Sequence, residues 1–383
     1  MNDSYFDGTL LVRQRSLPSY RVPLFQRLGQ MCRRLVLITS QSPTEDSMVE
    51  AEQLNHAEWT RLTGKSLGKG VSLIYWQSGL TQAIRKVDPD VIITEANPRF
   101  ADNGRLRKWA SQNRCPLLGW GLGTTNFFGH GYTGLRHWHR VRTLARFDSL
   151  IAYGSLAKKQ YCEDLGWSPE RVYVAHNATS DVPRIDAETL QRQQNNRIGE
   201  TFHVLTIGRL IANKSLELLL DASAILKRRG IPIKFTFVGD GSHRESLMAY
   251  AKQLGVTIDF PGHLEGDSLE KVASQADLFV LPGLGGLAIQ QAMAFGLPVC
   301  VSEADGTEFD LVRSENGWKV PPGDSDAIAE VIAAAAADRP ATFRMGRESL
   351  RIATEEINIS TMASKMIHAV NESQLIKFQG VNR

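Results

Sequence analysis

Short apolar runs alternate with helical patterns along most of this sequence, and that alternation restricts the fold to a few architectures. The runs are too short for buried helices and are bounded by turn residues, as interior strands are. Strands are predicted at 9–12, 35–39, 71–76, 90–94, 116–120, 149–153 and 172–175, and again at 202–207, 234–238, 257–260, 278–281 and 299–302. Because helical segments separate the runs, the strands should be parallel and covered on both faces. The sequence therefore predicts an α/β protein with two doubly wound sheets.

One polar segment interrupts the alternation and divides the chain. Residues 177–201 are rich in Gln and Asn with little apolar periodicity, which is typical of a linker between domains, and a short helix around 187–192 is left open. A chain of 383 residues is long enough for two domains with separate cores. The predicted division is an N-terminal domain over 1–180, a linker over 181–200, a C-terminal domain over 201–360, and a C-terminal helix and tail over 361–383. Whether that last helix returns to the first domain is left open.

Composition excludes several classes of protein. The net charge of +3 is too small to indicate nucleic-acid binding. Four widely spaced cysteines without a CxxC pair favour reduced thiols over a disulfide framework or a zinc site. The polar first residues lack the core of a signal peptide, and no apolar run approaches the roughly 20 residues of a membrane span. We therefore expect a cytoplasmic protein that is at most peripheral to the inner face of the cytoplasmic membrane.

The stretch from Leu278 to Val299 carries the clearest functional signal. A short apolar strand ends at Pro282, three glycines follow at positions 283, 285 and 286, and a helical pattern then runs to Gly296. A strand, a glycine turn and a helix N-terminus together direct backbone N–H groups and a positive dipole end at an anion. The alternative is an ordinary connection between a strand and a helix.

A second turn of the same kind opens the C-terminal domain. Gly208 follows a predicted strand and is followed by Arg209 and, five residues later, by Lys214. An arginine fork and a mobile lysine charge at the end of a strand suit phosphate oxygens, although a solvated loop remains the alternative. Gly239 likewise follows a strand.

Together these stretches resemble the retaining glycosyltransferases of family four, which have the GT-B architecture, and in particular the type that extends bacterial surface polysaccharides. The matching motifs are Gly208-Arg209-Leu210 with Lys214, Val238-Gly239-Asp240-Gly241, Phe260-Pro261-Gly262-His263, Gly286-Leu287, Ala292-Met293-Ala294, Gly296-Leu297-Pro298-Val299 and Asn316-Gly317. Their order and spacing hold over residues 202–328. The resemblance implies two Rossmann-like domains that face each other across a cleft.

The resemblance also implies roles for individual residues toward a nucleotide diphosphate sugar, UDP- or GDP-linked. Arg209 and Lys214 would hold the diphosphate and stabilise it as it leaves, and the N–H groups of Gly286 and Leu287 would bind phosphate oxygens. His263 and Leu264 would line the nucleobase pocket. The glycines predicted to line the donor site are Gly208, Gly239, Gly283 and Gly285. The family uses no metal or other cofactor, and the chain has no Asp-x-Asp motif.

The sequence departs from the family at two important positions. The family usually carries two glutamates eight positions apart, and here those positions hold Gly283 and Gln291. Gln291 can still bind a ribose diol through neutral hydrogen bonds, whereas Gly283 offers only backbone. Glu308 is a candidate for the missing carboxylate, and an exposed turn acid is the alternative interpretation.

Acceptor contacts are expected in the first domain. Tyr20 and Arg21 occupy the loop after the first strand, and Trp120 and Gly121 follow the fifth. Relatives carry a histidine where this chain has Leu122, so His130 is the candidate for a catalytic and acceptor-binding histidine, against the alternative of a surface residue.

Residues 135–147 predict a basic helix with an apolar face that carries Trp138. Such a helix suits an anionic membrane surface or a lipid diphosphate. A helix packed on its own sheet with a solvated basic face is the other interpretation.

The predicted activity is metal-independent transfer of a hexose, with retention of configuration, to a saccharide or a polyprenyl-diphosphate-linked acceptor. Two alternatives remain open at this point. One is a degenerate transferase that only binds a nucleotide sugar or a partner, and the other is a nucleotide-sugar 2-epimerase, which shares the two-sheet architecture.

Overall fold

The computed structural model describes residues 5–40, 51–68, 73–123, 134–179, 184–304 and 306–379. The chain forms two compact units. The first combines Met1–Thr179 with Ile359–Arg383, and the second is the continuous segment Ser180–Asn358. Each unit is built on one sheet.

Within the described residues, the first unit has an eight-stranded sheet in the order β4-β3-β2-β1-β5-β6-β7-β8. The strands are β1 (Phe6–Arg13), β2 (Cys32–Ser40), β3 (Glu58–Leu67), β4 (Ile74–Ser78), β5 (Val91–Glu95), β6 (Leu117–Gly121), β7 (Ser149–Ala152) and β8 (Val172–Val174). Its helices are α1 (Val22–Gln30), α2 (Leu80–Val87), α3 (Asn103–Gln112), α4 (Leu135–Leu144) and α5 (Ser155–Glu163), to which the C-terminal helix, described below, is added.

The edge of this sheet differs from the sequence prediction. Strand β3 was not predicted, and it pairs antiparallel with β4 although the other strand pairs of the sheet are parallel. Most side chains of β3 are exposed and polar, so the strand lacks the apolar run by which buried strands are recognised. The pairing of its backbone, rather than burial of its side chains, defines it.

Side chains alternate across this sheet and produce two cores. On one face, Leu10 and Val12 of β1 pack with α1, and on the other face Leu11 packs with residues of α2, α3 and α5. Helix α14 (Ile359–Gln379) covers the first of these faces with buried apolar residues that include Met362, Met366 and Val370. Lys377 at its end binds Asp148 at 2.9 Å. The last helix of the chain therefore completes the core of the first unit.

The second unit has, among the residues that the structure describes, a six-stranded parallel sheet in the order β11-β10-β9-β12-β13-β14. The strands are β9 (Phe202–Ile207), β10 (Ile233–Val238), β11 (Asp259–Gly262), β12 (Leu278–Leu281), β13 (Val299–Ser302) and β14 (Gly317–Val320). The helices are α6 (Ala187–Asn196), α7 (Glu217–Arg228), α8 (Arg244–Leu254), α9 (Gly266–Ala273), α10 (Gly286–Ala294), α11 (Glu308–Leu311), α12 (Ser325–Ala337) and α13 (Arg339–Arg351).

The segment predicted as a linker contains helix α6, which belongs to the second unit. Asp186 caps the helix by accepting a hydrogen bond from the Thr189 backbone N–H at 2.8 Å. Leu190 and Gln194 are buried, and the Gln194 amide donates to the Phe343 carbonyl oxygen at 3.1 Å. The polar composition of this segment hid one buried helix face.

Among the residues described, no helix is both long and apolar enough to span a bilayer.

Candidate active site

The turns that follow β9 and β10 are joined through their backbones. The Gly208 N–H donates to the Val238 carbonyl oxygen at 3.0 Å, and the Leu210 N–H donates to the Asp240 carbonyl oxygen at 2.8 Å. Gly239 has a φ of +136°, and a Cβ there would collide with the Gly208 carbonyl oxygen. Only glycine combines that φ with that close approach. The loop that carries Arg209 is thus held in one position relative to its neighbour.

Arg209 and Lys214 occupy the two ends of this loop. Arg209 is exposed at the carboxyl end of β9, and Lys214 is half-buried at the end of a short 3₁₀ turn, Ala212–Lys214. The Lys214 ammonium donates to the Leu284 carbonyl oxygen, and the Leu284 N–H donates to the Asn213 carbonyl oxygen at 3.0 Å. These two hydrogen bonds join the loop of Lys214 to the glycine turn that precedes α10.

The N-terminus of α10 has the geometry of an anion site. Gly285 is its N-cap residue and supplies no capping side chain, so the N–H groups of the first turn, those of Gly286 and Leu287, are directed outward. A Cβ on Gly286 would lie 3.1 Å from Thr307 Oγ1, which places a hydroxyl beside this turn. A lysine, a hydroxyl and the half-buried positive end of a nine-residue helix are therefore brought together.

Gly283 leaves no space for a side chain. A Cβ at this position would lie 2.6 Å from the Lys214 carbonyl carbon and 2.7 Å from Lys214 Cα. The backbone of the Lys214 loop therefore occupies the space in which the family's glutamate would begin. The replacement of that glutamate is part of how this chain packs its turn against the lysine loop.

Glu308 is a buried residue rather than the exposed acid of the alternative interpretation. Its side chain is 6% exposed, and its carboxylate accepts hydrogen bonds from the backbone N–H groups of Ala304 and Gly306, both at 2.9 Å. It thereby shapes the turn that places Thr307 next to α10.

The other residues predicted for the donor site lie on α10 and in the turn after β11. Gln291 is half-buried in the second turn of α10. His263 is exposed and lies 2.9 Å from the Glu265 carboxylate, while Leu264 packs partly against the core. Their roles stay predictions.

In the first unit, Arg21 and Trp120 are in contact. The Arg21 guanidinium carbon lies 4.6 Å from the centre of the Trp120 ring, and Arg21 Nη2 donates to the Tyr153 hydroxyl at 3.3 Å. Tyr20, also predicted for this site, covers the same guanidinium at 5.4 Å. Gly121 lies beside Tyr161, whose hydroxyl accepts a hydrogen bond from the Gly123 N–H at 3.1 Å. His130 lies outside the described residues.

Sequence reasoning missed two members of this cluster, Glu95 and Tyr153. Glu95 ends β5, pairs in register with Trp120 of β6, and accepts a hydrogen bond from the Arg15 N–H at 2.8 Å. Burial raises the pKa of the Glu95 carboxyl and of the Tyr153 hydroxyl, and nearby arginines oppose the rise at Glu95. Both residues stand at strand ends, and that position was the available signal.

Helix α4 combines a packed side and an exposed basic side. Leu144 is buried in the core and Val141 packs against it, while Trp138 is 55% exposed with the Arg142 guanidinium 5.2 Å from its ring centre. Arg140 donates to the Gly123 carbonyl oxygen at 3.4 Å. The side chain of Arg136 lies outside the part of the structure that is described.

Comparison with known proteins identifies the family. The family model described as "Glycosyl transferases group 1" matches residues 187–351. The amylovoran biosynthesis glycosyltransferase AmsK of Erwinia amylovora is 26% identical over 159 residues, 39% of each chain. The GDP-mannose-dependent alpha-(1-6)-phosphatidylinositol monomannoside mannosyltransferase of Mycobacterium tuberculosis is 25% identical over 232 residues, 57% of this chain and 60% of the relative. Matches to the curated relatives thus cover about half of their length.

Solved structures extend the similarity of fold to both units. Anabaena HepE in complex with UDP superposes with a TM-score of 0.72 at 18% identity, over 95% of this chain and 99% of HepE. The apo form of the lipopolysaccharide outer core galactosyltransferase WaaB gives a TM-score of 0.66 at 14% identity, over 95% of this chain and 99% of WaaB. The family expected from the motifs is confirmed over residues 187–351, which match the group 1 glycosyl transferases, and the expected fold is confirmed for the chain, which has the GT-B fold of two Rossmann-like α/β domains.

Proposed function

We propose that this protein transfers a hexose from a nucleotide diphosphate sugar, with retention of configuration, to a saccharide or lipid-linked acceptor in surface polysaccharide synthesis. One observation carries the proposal: two hydrogen bonds of Leu284 join the Lys214 loop to the N-terminus of α10. A lysine ammonium and a helix N-terminus are therefore fixed at one end of one sheet, and Arg209 begins the loop that carries the lysine. The names of the relatives, which include amylovoran and lipopolysaccharide core transferases, support this class of product.

The proposed mechanism follows from where negative charge develops. As the bond between the sugar C1 and the diphosphate oxygen breaks, the acceptor hydroxyl oxygen bonds to C1 on the same face. Its proton passes to the departing diphosphate. Arg209, Lys214 and the N–H groups of Gly286 and Leu287 stabilise the diphosphate in the roles that a metal ion fills elsewhere, because preorganised donors are most effective where charge appears.

The donor is proposed to carry UDP or GDP. HepE is described with UDP and with UDP-glucose, and the mycobacterial relative is described as GDP-mannose-dependent. In this proposal Gln291 binds the ribose hydroxyls, and His263 and Leu264 border the nucleobase.

A panel of nucleotide sugars and nucleoside diphosphates, screened by thermal shift and followed by transfer assays, tests the proposal. We expect nucleotides of one base, uracil or guanine, to stabilise the protein by about 2.7 kcal/mol at a hundredfold excess over their Kd.

Gln291→Ala should weaken the binding of that nucleotide roughly two- to tenfold, since a neutral hydrogen bond contributes about 0.5–1.5 kcal/mol. The matched control is Gln275→Ala. Gln275 is exposed and precedes β12, so it lies at the opposite end of that strand from the turn that leads to α10. Binding without turnover would favour the degenerate transferase, and conversion of the donor without an acceptor would favour the epimerase.

We also propose that α4 brings the enzyme to an anionic membrane surface. Replacing Arg136, Arg140 and Arg142 with glutamine should weaken binding to anionic vesicles by about 1 kcal/mol per charge, measured by co-sedimentation. The control replaces Arg85, Lys86 and Arg105, exposed cations of α2 and α3, and makes the same change of net charge. Equal losses in the two variants would indicate a general charge effect and no role for this helix.

A further inference from the structure

The Arg21 side chain is buried with part of its hydrogen-bonding capacity unused. It is 6% exposed, and among the described residues Nη1 has no hydrogen-bond partner, while Nη2 donates to the Tyr153 hydroxyl at 3.3 Å. A buried, unsatisfied donor on a charged group is costly unless something binds it. This orphan donor points to a ligand.

Trp120, which Arg21 contacts, and Asn177, which binds the Tyr153 backbone, carry further groups without partners among the described residues. Trp120 is 1% exposed, yet its indole N–H also has no acceptor within the described ranges. The buried side-chain oxygen of Asn177 has no donor among the same residues, and the Asn177 N–H donates to the Tyr153 carbonyl oxygen at 3.3 Å. The two unpaired donors, on Arg21 and Trp120, match the oxygens of a phosphate or carboxylate, and the unpaired Asn177 oxygen matches a hydroxyl group.

The aromatic rings hold the guanidinium in place but do not satisfy it. Trp120 and Tyr153 meet edge to face with their centres 5.4 Å apart, and the Arg21 guanidinium carbon lies 4.6 Å and 5.5 Å from their centres. Glu95 is the acid that interacts electrostatically with Arg21 and Tyr153, and its carboxylate accepts the Arg15 N–H. The ring faces attract the cation, but they do not accept hydrogen bonds from its N–H groups as an oxyanion would.

The Tyr20 ring lies over the Arg21 guanidinium and is partly exposed. Its ring is 37% exposed and its centre lies 5.4 Å from the Arg21 guanidinium carbon. An exposed side chain changes rotamer on the picosecond to nanosecond timescale, so Tyr20 can uncover Arg21 without movement of the strands.

We infer that the acceptor is an acidic sugar, whose phosphate or carboxylate binds Arg21 and the Trp120 N–H while a hydroxyl donates to Asn177. This inference rests on the proposed function, because it specifies the acceptor of that reaction. The charge orients the acceptor, and neutral sugars of the same shape are excluded by the unsatisfied donors that they would leave.

The test is calorimetric titration of the full chain with three probes while a nucleoside diphosphate saturates the donor site. The probes are glucose 1-phosphate, glucuronate and neutral methyl glucoside. At least one of the two acidic sugars should bind, and methyl glucoside should not. Whichever acidic sugar binds more tightly shows whether the site takes a phosphate or a carboxylate. Arg21→Gln should weaken the bound acid by about tenfold or more. Arg21→Lys should retain part of the affinity, and Trp120→Phe, which keeps a ring and loses the N–H, should weaken it several-fold.

Arg27→Gln is the matched control, because Arg27 is exposed on α1 and its replacement changes the net charge by the same amount. Far-UV circular dichroism and a parental Tm show that each variant is folded, since the nucleotide site belongs to the other unit, and Arg21→Lys carries the test if Arg21→Gln does not fold. Equal binding of the acids by Arg21→Gln and its parent, or failure of both acids to bind, overturns the inference alone. Failure of every nucleoside diphosphate to bind the parent overturns the proposed function instead.

Discussion

Arg209→Ala and Lys214→Ala are each expected to lower kcat/KM for sugar transfer by at least about tenfold, because each removes a charge-assisted hydrogen bond worth about 1.5–3 kcal/mol. The charge that these side chains meet grows as the bond between the sugar and the diphosphate breaks. Their removal should therefore lower kcat as well as donor affinity. Lys214→Ala also removes the hydrogen bond to the Leu284 carbonyl oxygen, so it should have the larger effect, and the double variant should approach complete loss.

Steady-state kinetics with the donor found by screening measures these effects. Arg228→Ala and Lys252→Ala, exposed cations of the same unit, are the matched controls. A double variant that binds and turns over like its parent would remove this loop from the donor site. A parent that shows no transfer with any donor, together with a double variant that binds less nucleotide, would support the degenerate transferase.

Gly283→Glu, which introduces the family's usual residue, is expected to abolish activity and lower Tm. The new Cβ would lie 2.6–2.7 Å from backbone atoms of Lys214, and backbone cannot move aside as a flexible side chain can. Overpacking of this kind lowers the free energy of unfolding by about 1–3 kcal/mol. Displacing the loop would also separate Lys214 from the N-terminus of α10.

Differential scanning calorimetry and the transfer assay measure the two effects together. Gly283→Ala should show the same loss to a smaller degree, whereas Gln291→Glu should fold normally because residue 291 already carries a side chain of that size. A Gly283→Glu variant with parental stability and higher activity would show that the lysine loop can yield, and that the position is an ordinary carboxylate site.

Burial explains how much of the fold could be predicted from the sequence. Strands β9, β12 and β13 have the predicted bounds, because their side chains are buried and form continuous apolar runs. Strands β3 and β14 were missed. The first is mostly exposed, and the second has two buried residues in four. A strand whose place depends on backbone pairing leaves little trace in side-chain pattern.

The residues of the candidate site also fall into those that local sequence motifs reveal and those that only the fold brings together. Arg209, Lys214 and the glycine turns lie within short motifs that can be seen along the chain. Trp120 was predicted from its place after the fifth strand, whereas Glu95 and Tyr153 were missed, because these three residues meet only where β5, β6 and β7 are neighbours in the sheet. That neighbourhood is a property of strand order, which no local pattern records.

The packing of α14 on the first sheet has a consequence for synthesis on the ribosome. The first unit is interrupted in sequence by the second, and its core is incomplete until residues 359–379 have emerged. The second unit is continuous, and it can close its own core while the first unit still has an uncovered apolar face. The usual N-to-C order of domain completion is thereby reversed. In the interval, the apolar face around Leu10 and Val12 lacks the cover of α14, and uncovered apolar surface of this kind makes a chain prone to aggregate.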